Sequence, residues 1–359
     1  MSSSFLRRAV LALTISPFGV VAGLAPAQAA APPGWRVVHS APGTVFSAVA
    51  ATSPSDAWAA GVQIVQGQLR TLILHWNGRS WRQSALPGSF VVDPGFVVAG
   101  ASSRSNAWAF GDNGGTALRW NGTRWSLVNV PFGGQVTGTA VVGRGDVWVF
   151  GCSGAFPGAG TWHFDGRRWK QFTFSFGLTC VGSASASNNV WATGFNQPGA
   201  NDNFIVRWDG RHWIRVTNPR LRLPDGKLHK FFVNAFQVFS PRNVWAFGGA
   251  IGTVRHTAVT FPVAMHWDGR IWHRIALSGA GFELGEATSD GHGGFWVTPF
   301  VFRGPVRSVV LHYSGGHWAT VKVPLVSGRP SLFFSYALVP GTASVWAVSE
   351  STAIFRFGR

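Results

Sequence analysis

The sequence predicts an all-β chain in which seven copies of one small module close into a ring. Three observations carry this. A phrase of the type Asn243-Val244-Trp245-Ala246-Phe247-Gly248 occurs seven times, with its tryptophan at Trp58, Trp108, Trp148, Trp191, Trp245, Trp296 and Trp346. A second phrase, of the type Trp267-Asp268-Gly269-Arg270-Ile271-Trp272, is complete six times and ends at Trp81, Trp125, Trp169, Trp213, Trp272 and Trp318. The piece missing from the seventh module, after Phe355-Arg356-Phe357, has a match in type at the other end of the chain, in Gly34-Trp35-Arg36-Val37-Val38. A solenoid would have capped ends instead.

Each module reads as four strands. In the first copy, Val45 to Thr52 is strand A, whose small and β-branched residues suit a crowded inner position. Ser53-Pro54-Ser55-Asp56 is a turn, and Ala57 to Val62 is strand B. Leu69 to Trp76 is strand C, Asn77-Gly78 marks a tight hairpin, and Trp81 to Ala85 is strand D. Four strands recurring in a closed ring define a β-propeller, here of seven blades, with the last blade closed by the N-terminal strand.

With these phrases in place, the chain resembles the kelch and galactose-oxidase-type propellers. It resembles more closely a group of secreted bacterial proteins with D/N-x-W-A-x-G and W-D/N-G-x-x-W repeats, over about residues 34 to 359. The resemblance implies architecture rather than activity, because propellers host unrelated functions. The strand C–D hairpin is also similar to the Asp-box turn of sialidases, but here the Asp and Gly are adjacent.

Residues 1–29 read as a secretory signal: Arg7 and Arg8, an apolar run from Ala9 to Leu24, and Ala27-Gln28-Ala29 as a cleavage site. The arginine pair leaves a twin-arginine route as the alternative. No cysteine stands there for a lipid anchor, and no later apolar run reaches the roughly 20 residues of a membrane helix. Residues 30–359 are then a secreted, extracellular propeller, expected to be a monomer. Without Arg7 and Arg8 the chain has 28 Lys and Arg against 13 Asp and Glu, or +15. That charge favours polyanionic partners. It is spread through the repeats without a run of five, so specific nucleic-acid binding is not expected. Cys152 and Cys180 are the two cysteines, and an oxidising compartment predicts that they pair.

Several residues that look chemical belong to the repeat. The His or Arg before each hairpin aromatic (His75, Arg119, His163, Arg207, His266, His312, Arg356) is expected to donate to backbone or to a neighbouring blade's turn. Asp56, Asn106, Asp146, Asn189 and Asn243 suit side-chain-bonded turns, and Asp165, Asp209 and Asp268 are hairpin residues. Eight acids remain outside the repeat: Asp93, Asp112, Asp202, Asp225, Glu283, Glu286, Asp290 and Glu350. Among these, Glu286 on strand A of blade six and Tyr336 on strand A of blade seven are the candidate catalytic pair. The turn from Ser289 to Gly294 reads as about two residues longer than its counterparts, leaving the register of Glu286 open by two. A slip of two preserves side-chain parity, so both residues are expected to address equivalent faces. The alternative is a buried Glu hydrogen-bonded to a Tyr.

Loop length points elsewhere. The longest loops, Thr217 to Lys230, Gly249 to Pro262 and Pro299 to Arg307, belong to blades four to six. They carry Arg220, Arg222, Lys227, His229, Lys230, Arg255, His256, Arg303 and Arg307 against Asp225 alone. The expected function is therefore a non-enzymatic propeller that binds a glycan, an anionic wall polymer or a protein through this basic loop face. The alternative is a sialidase-like or lyase-like carbohydrate enzyme using Glu286 and Tyr336. No cofactor or metal motif appears.

Overall fold

The computed structural model of the chain describes residues 34–358, apart from 89–96, 112–113, 153–157, 197–202, 302–304 and 350–351. Residues 1–29, the expected signal peptide, together with Arg303 and the acids Asp93, Asp112, Asp202 and Glu350, lie outside the described residues. The fold is all-β, with seven four-stranded antiparallel sheets. Blade one runs Thr44–Ser53, Asp56–Val65, Gln68–Trp76 and Trp81–Gln83 as strands A to D. Blade two is Val98–Ser103, Asn106–Phe110, Gly114–Trp120 and Trp125–Gly133; blade three is Gly138–Gly143, Asp146–Gly151, Gly160–Phe164 and Trp169–Phe172. Blade four is Gly177–Ala186, Asn189–Asn196, Asn203–Trp208 and Trp213–Val216. Blade five is Phe232–Ser240, Asn243–Val254, Thr257–Trp267 and Trp272–Ile275. Blade six is Phe282–Ser289, Phe295–Val301, Val309–Ser314 and His317–Lys322.

Blade seven has Phe333–Leu338, Val345–Ser349 and Ala353–Phe357, and its strand D is the N-terminal Arg36–Ser40. That strand pairs antiparallel with Ala353–Phe357, Arg36 opposite Arg356. Trp35 just before it is 6% exposed and stands edge-on to Trp296 at 5.3 Å.

The strand-B tryptophans hold the blades together. Six of the seven are almost fully buried, and each packs on the C–D aromatics of the following blade. Trp58 meets Trp120 and Trp125 at 4.9 and 5.3 Å, and Trp191 meets Trp267 and Trp272 at 5.6 and 5.7 Å. Trp346 of blade seven completes the circuit on Trp76 and Trp81 of blade one, at 5.1 and 5.0 Å. Such edge-on and tilted pairs add to the burial of large apolar area.

The C–D connection is a tight four-residue turn, with Trp76 paired to Trp81 as the strand limits predict. Its first side chain closes it: Asn77 Oδ1 accepts from the backbone N–H groups of Arg79 and Ser80 at 3.0 and 3.1 Å. Asn121, Asp165, Asp209 and Asp268 do the same in their blades. The segment Gly249 to Pro262 is not a loop. Strands B and C of blade five simply continue, paired out to Val254 opposite Thr257. Contrary to expectation as well, the turn after strand A of blade six is no longer than others. Five residues separate the Ser289–Phe295 pair, as five separate Ala51 from Ala57.

Cys152, one residue past strand B of blade three, is bonded to Cys180 in strand A of blade four. This crosses a seam between blades. Closing a loop of 28 residues contributes roughly 3–4 kcal/mol in the chain-entropy model.

The Arg36–Ser40 strand is a structural member of the ring rather than a terminal tail. Trp35→Ala is expected to lower unfolding free energy by about 3–5 kcal/mol, the usual range for truncating a buried Trp. Removing residues 34–39 should cost more than that. Urea unfolding midpoints equal to the full-length value would contradict this closure.

Candidate ligand-binding site

The Glu286 and Tyr336 pair falls in the interior. Thr288 opposes Trp296 as Ala50 opposes Trp58, so Glu286 stands two positions before the register point. Tyr336 stands one position before its own, Ala337, which opposes Trp346. The two therefore have opposite parity, contrary to expectation. Residues two before this point, such as Ala48 and Ala235, pack toward the following blade, and those one before, such as Val49 and Phe236, toward the preceding one. Glu286 and Tyr336 consequently meet in the wedge between blades six and seven. The Tyr336 hydroxyl bonds Thr298 Oγ1 at 2.6 Å rather than Glu286. Burial pushes the Tyr336 phenol far up, and it pushes the Glu286 carboxyl up to about 7. On the same strand, burial raises the Glu283 carboxyl to about 7 although Asn234 Nδ2 donates to it at 2.9 Å. Both residues are partly exposed, and the Tyr336 hydroxyl is committed to Thr298.

Asp290 also changes role. Within blades one and three, the histidine of strand C donates to an Asp at the end of the A–B turn: His75 to Asp56 at 2.7 Å, His163 to Asp146 at 2.8 Å. The imidazoles stack on Trp58 and Trp148 at 3.9 and 4.1 Å. Burial pushes the Asp56 carboxyl up, but hydrogen bonds from His75 and Thr52 outweigh it and hold it below its ordinary value. In blade six the turn ends on Gly294, and the carboxylate comes from the first turn residue. Asp290 Oδ2 meets His312 Nε2 at 2.9 Å, and Oδ1 accepts the N–H groups of His292 and Gly294 at 2.8 Å. A Cβ on Gly294 would lie 2.4 Å from Asp290 Oδ2, so one carboxylate occupies the space the other blades fill from the opposite end. Asp290 is thus a repeat residue, which the A–B spacing rule missed.

The basic residues sort into three places. Thr217 to Lys230 folds as a small hairpin, Arg220–Arg222 paired with Leu228–Lys230. Alternation turns Leu221 inward and leaves Arg220, Arg222 and Lys230 exposed, with Arg220 directly opposite Lys230. The turn is Pro224-Asp225-Gly226, closed by Gly226 N–H to Leu223 O at 2.9 Å. Asp225 is fully used. It accepts from Lys227 N–H at 3.0 Å, from Thr253 N–H in strand B of blade five at 2.9 Å, and from His229 Nε2 at 2.8 Å. The Lys227 N–H bond leads the effects that hold its carboxyl below the ordinary value. Gly252 lets the two hairpins touch, since a Cβ there would lie 2.8 Å from Leu223. The single acid of the rim is therefore a staple, and Arg220, Arg222 and Lys227 face solvent around it.

Arg255 and His256 form the tip of the extended blade-five hairpin, both in the left-handed region at φ 46° and 65°. Arg307 is separate, at a depression of about 210 Å³ on blade six walled by Phe282, Phe300, Val306 and Leu332. Beside the hairpin lie two further depressions. One, of about 410 Å³, is lined by Asn203, Phe204, Arg215, Asn218, Arg220 and Lys230 among others. The second, of about 510 Å³, includes Arg207, Arg270, Trp267 and Trp272. They share Arg215, Val216 and Thr217, so they adjoin along strand D of blade four. Arg207, Arg215 and Arg270 belong to the regular blades, and a search confined to long loops passes over them. Among the described residues no cluster of three or more His, Cys, Asp or Glu side chains is arranged to hold a metal. Nor is any described helix long and apolar enough to cross a membrane.

No protein-family model matches the sequence, and no curated protein matches it either. Solved structures do match in shape. YCF48, in a structure with D1 peptide bound, superposes with a TM-score of 0.59 at 11% identity, over 90% of this chain and 97% of that one. The GH74 xyloglucanase of Xanthomonas campestris superposes with a TM-score of 0.57 at 16% identity, over 89% of this chain and 53% of its own. At these identities the likeness is one of fold.

Two outcomes are expected from the interior carboxyls. Asp290→Ala leaves His312 and two N–H groups without their acceptor and should cost about 2–4 kcal/mol, with Asp290→Asn costing less. Unchanged chemical unfolding of Asp290→Ala would refute the assignment. Glu286 keeps its proton in the folded state up to about pH 7, against 4.5 ordinarily. Its folded value is raised, so the associated stability is full below 4.5 and falls as pH rises through 7. Glu286→Gln should therefore be the more stable protein at pH 8, by an order of 2 kcal/mol, and the gap should close by pH 5. Parallel melting curves at the two pH values test this.

Proposed function

We propose that the chain is an exported, monomeric, non-enzymatic β-propeller that binds an anionic glycan or wall polymer through the basic rim of blades four and five. One observation carries this reading. Arg220, Arg222 and Lys227 sit on a hairpin whose sole carboxylate, Asp225, is consumed by three internal hydrogen bonds. The rim therefore presents cationic groups with their local counter-charge already committed, which attracts polyanions and steers their approach. The Cys152–Cys180 disulfide supports export, because such bonds persist in oxidising compartments. A kelch-like or galactose-oxidase-like affiliation is supported by the repeat phrases and belongs to this proposal.

Retention of the mature chain on polygalacturonate, teichoic acid and neutral dextran, at low and high salt, tests the proposal. The anionic matrices should retain it at low salt and release it at high salt. Replacing Arg220, Arg222, Lys227 and Lys230 together by Ala should weaken retention at least tenfold, about 1.4 kcal/mol. Equal retention on dextran, or no retention anywhere, would overturn the reading.

A further inference from the structure

The His or Arg slot on strand C offers an internal control, because one architecture presents it seven times. Four members are histidines bonded to the A–B turn: His75 to Asp56, His163 to Asp146, His266 to Asn243 and His312 to Asp290. Arg119 lies over the Trp108 ring at 5.0 Å and donates to the carbonyl of Arg144 in the next blade's turn at 3.2 Å. Arg356 lies over Trp346 at 4.9 Å. Arg207 of blade four does neither. Among the described residues its guanidinium has no hydrogen-bond acceptor, carboxylate or ring face. Asn189 of its own A–B turn bonds Trp191 Nε1 at 3.2 Å and Ser185 at 2.8 Å but not Arg207, whereas in blade five Asn243 Oδ1 accepts from both Trp245 Nε1 and His266.

What Arg207 lines instead is the depression of about 510 Å³ between blades four and five. Its walls include Trp267 and Trp272, its lip includes the exposed Ile271, and Arg270 and Arg215 also contribute. No carboxylate lines it. A half-buried guanidinium without a fixed acceptor is a poor element of folding. It is well suited to a carboxylate, which its planar fork can grip with two parallel hydrogen bonds. The surrounding indole and aliphatic surface suits a ligand whose body has an apolar face, as the C–H face of a sugar ring does.

We propose that this depression is a subsite for an acidic sugar, with Arg207 and Arg270 receiving the carboxylate of a uronic acid unit and Trp272 walling its ring. The proposal deepens the reading of the basic rim and rests on it for the identity of the longer polymer. The depression shares Arg215 and Thr217 with its neighbour, which Arg220 also lines. A linear polyuronate seated at Arg207 can therefore continue along strand D of blade four toward the Arg220–Arg222 hairpin.

Calorimetric titration with tetragalacturonate, a neutral galactose tetramer and hexaglutamate tests the subsite in the mature chain. Tetragalacturonate should bind, and Arg207→Gln and Arg270→Ala should each weaken it at least tenfold. Arg207 has no partner to lose, so the Arg207→Gln melting curve should overlay that of the parent and separate binding from folding. The fourfold rim variant should keep tetramer binding while losing retention on long polygalacturonate. Wild-type affinity in Arg207→Gln would overturn the subsite. So would hexaglutamate or the neutral tetramer binding as tightly as tetragalacturonate. A parent that ignores the tetramer yet is retained on long anionic polymers would sink the subsite and leave the rim standing.

Discussion

The contact between the strand-B tryptophan of one blade and the C–D aromatics of the next is the constraint on which everything else depends. A four-stranded sheet with two apolar faces cannot remain alone in water, and each blade hides one face only by using its neighbour. Trp148 illustrates the geometry, tilted on Trp208 at 5.8 Å and edge-on to Trp213 at 5.5 Å. Since every blade both gives a Trp and receives one, the chain has no surplus apolar face when the circuit is complete. The abundance of tryptophan is thus explained by seams rather than by ligand stacking, although Trp267 and Trp272 also border an accessible depression.

Repetition made the architecture legible in the sequence. Seven Trp phrases fixed the blade number, and the displaced Gly34-Trp35-Arg36 phrase located the closing strand. The Cys152–Cys180 pairing was legible because the chain has just these two cysteines and reads as one bound for an oxidising compartment. What failed to read out were departures from the repeat. Asp290 does the work of Asp56 from the other end of an equally long turn, and spacing alone cannot reveal that exchange because both ends reach the same space. Arg255 and His256 hold left-handed turn conformations without Gly or Asn, so the long paired hairpin of blade five resembles a loop in sequence. Glu286 and Tyr336 were placed on the correct strands, but Tyr336 stands one position before its register point while Glu286 stands two before its own, so the two have opposite parity.

The candidate site shows the same logic in reverse. Residues that recur are explained by folding until one copy is seen without its structural partner. Arg207 matches its slot in type, and nothing in the sequence marks it as different from Arg119. The difference lies in its surroundings, where among the described residues the guanidinium meets no acceptor or ring face and lines a depression instead. Loop length pointed to the sector of the ring that carries the Arg220–Arg222 hairpin. It could not point to a side chain on a regular strand.

Blade seven joins the two ends of the chain: Arg36 Nη1 donates to the carbonyl of Gly358, 322 residues away. During synthesis, blades one to six can assemble in order from local hairpins as they emerge. The seventh has to wait, because its outer strand appears first and its inner strands last. Meanwhile Trp346 has yet to be made, and the apolar face of blade one, with Trp76 and Trp81, is uncovered. Ring closure is therefore a late, long-range event, of the kind that slows folding. Until the strands from Phe333 to Phe357 have been made, the growing chain is an open arc with a hydrophobic edge that needs shielding.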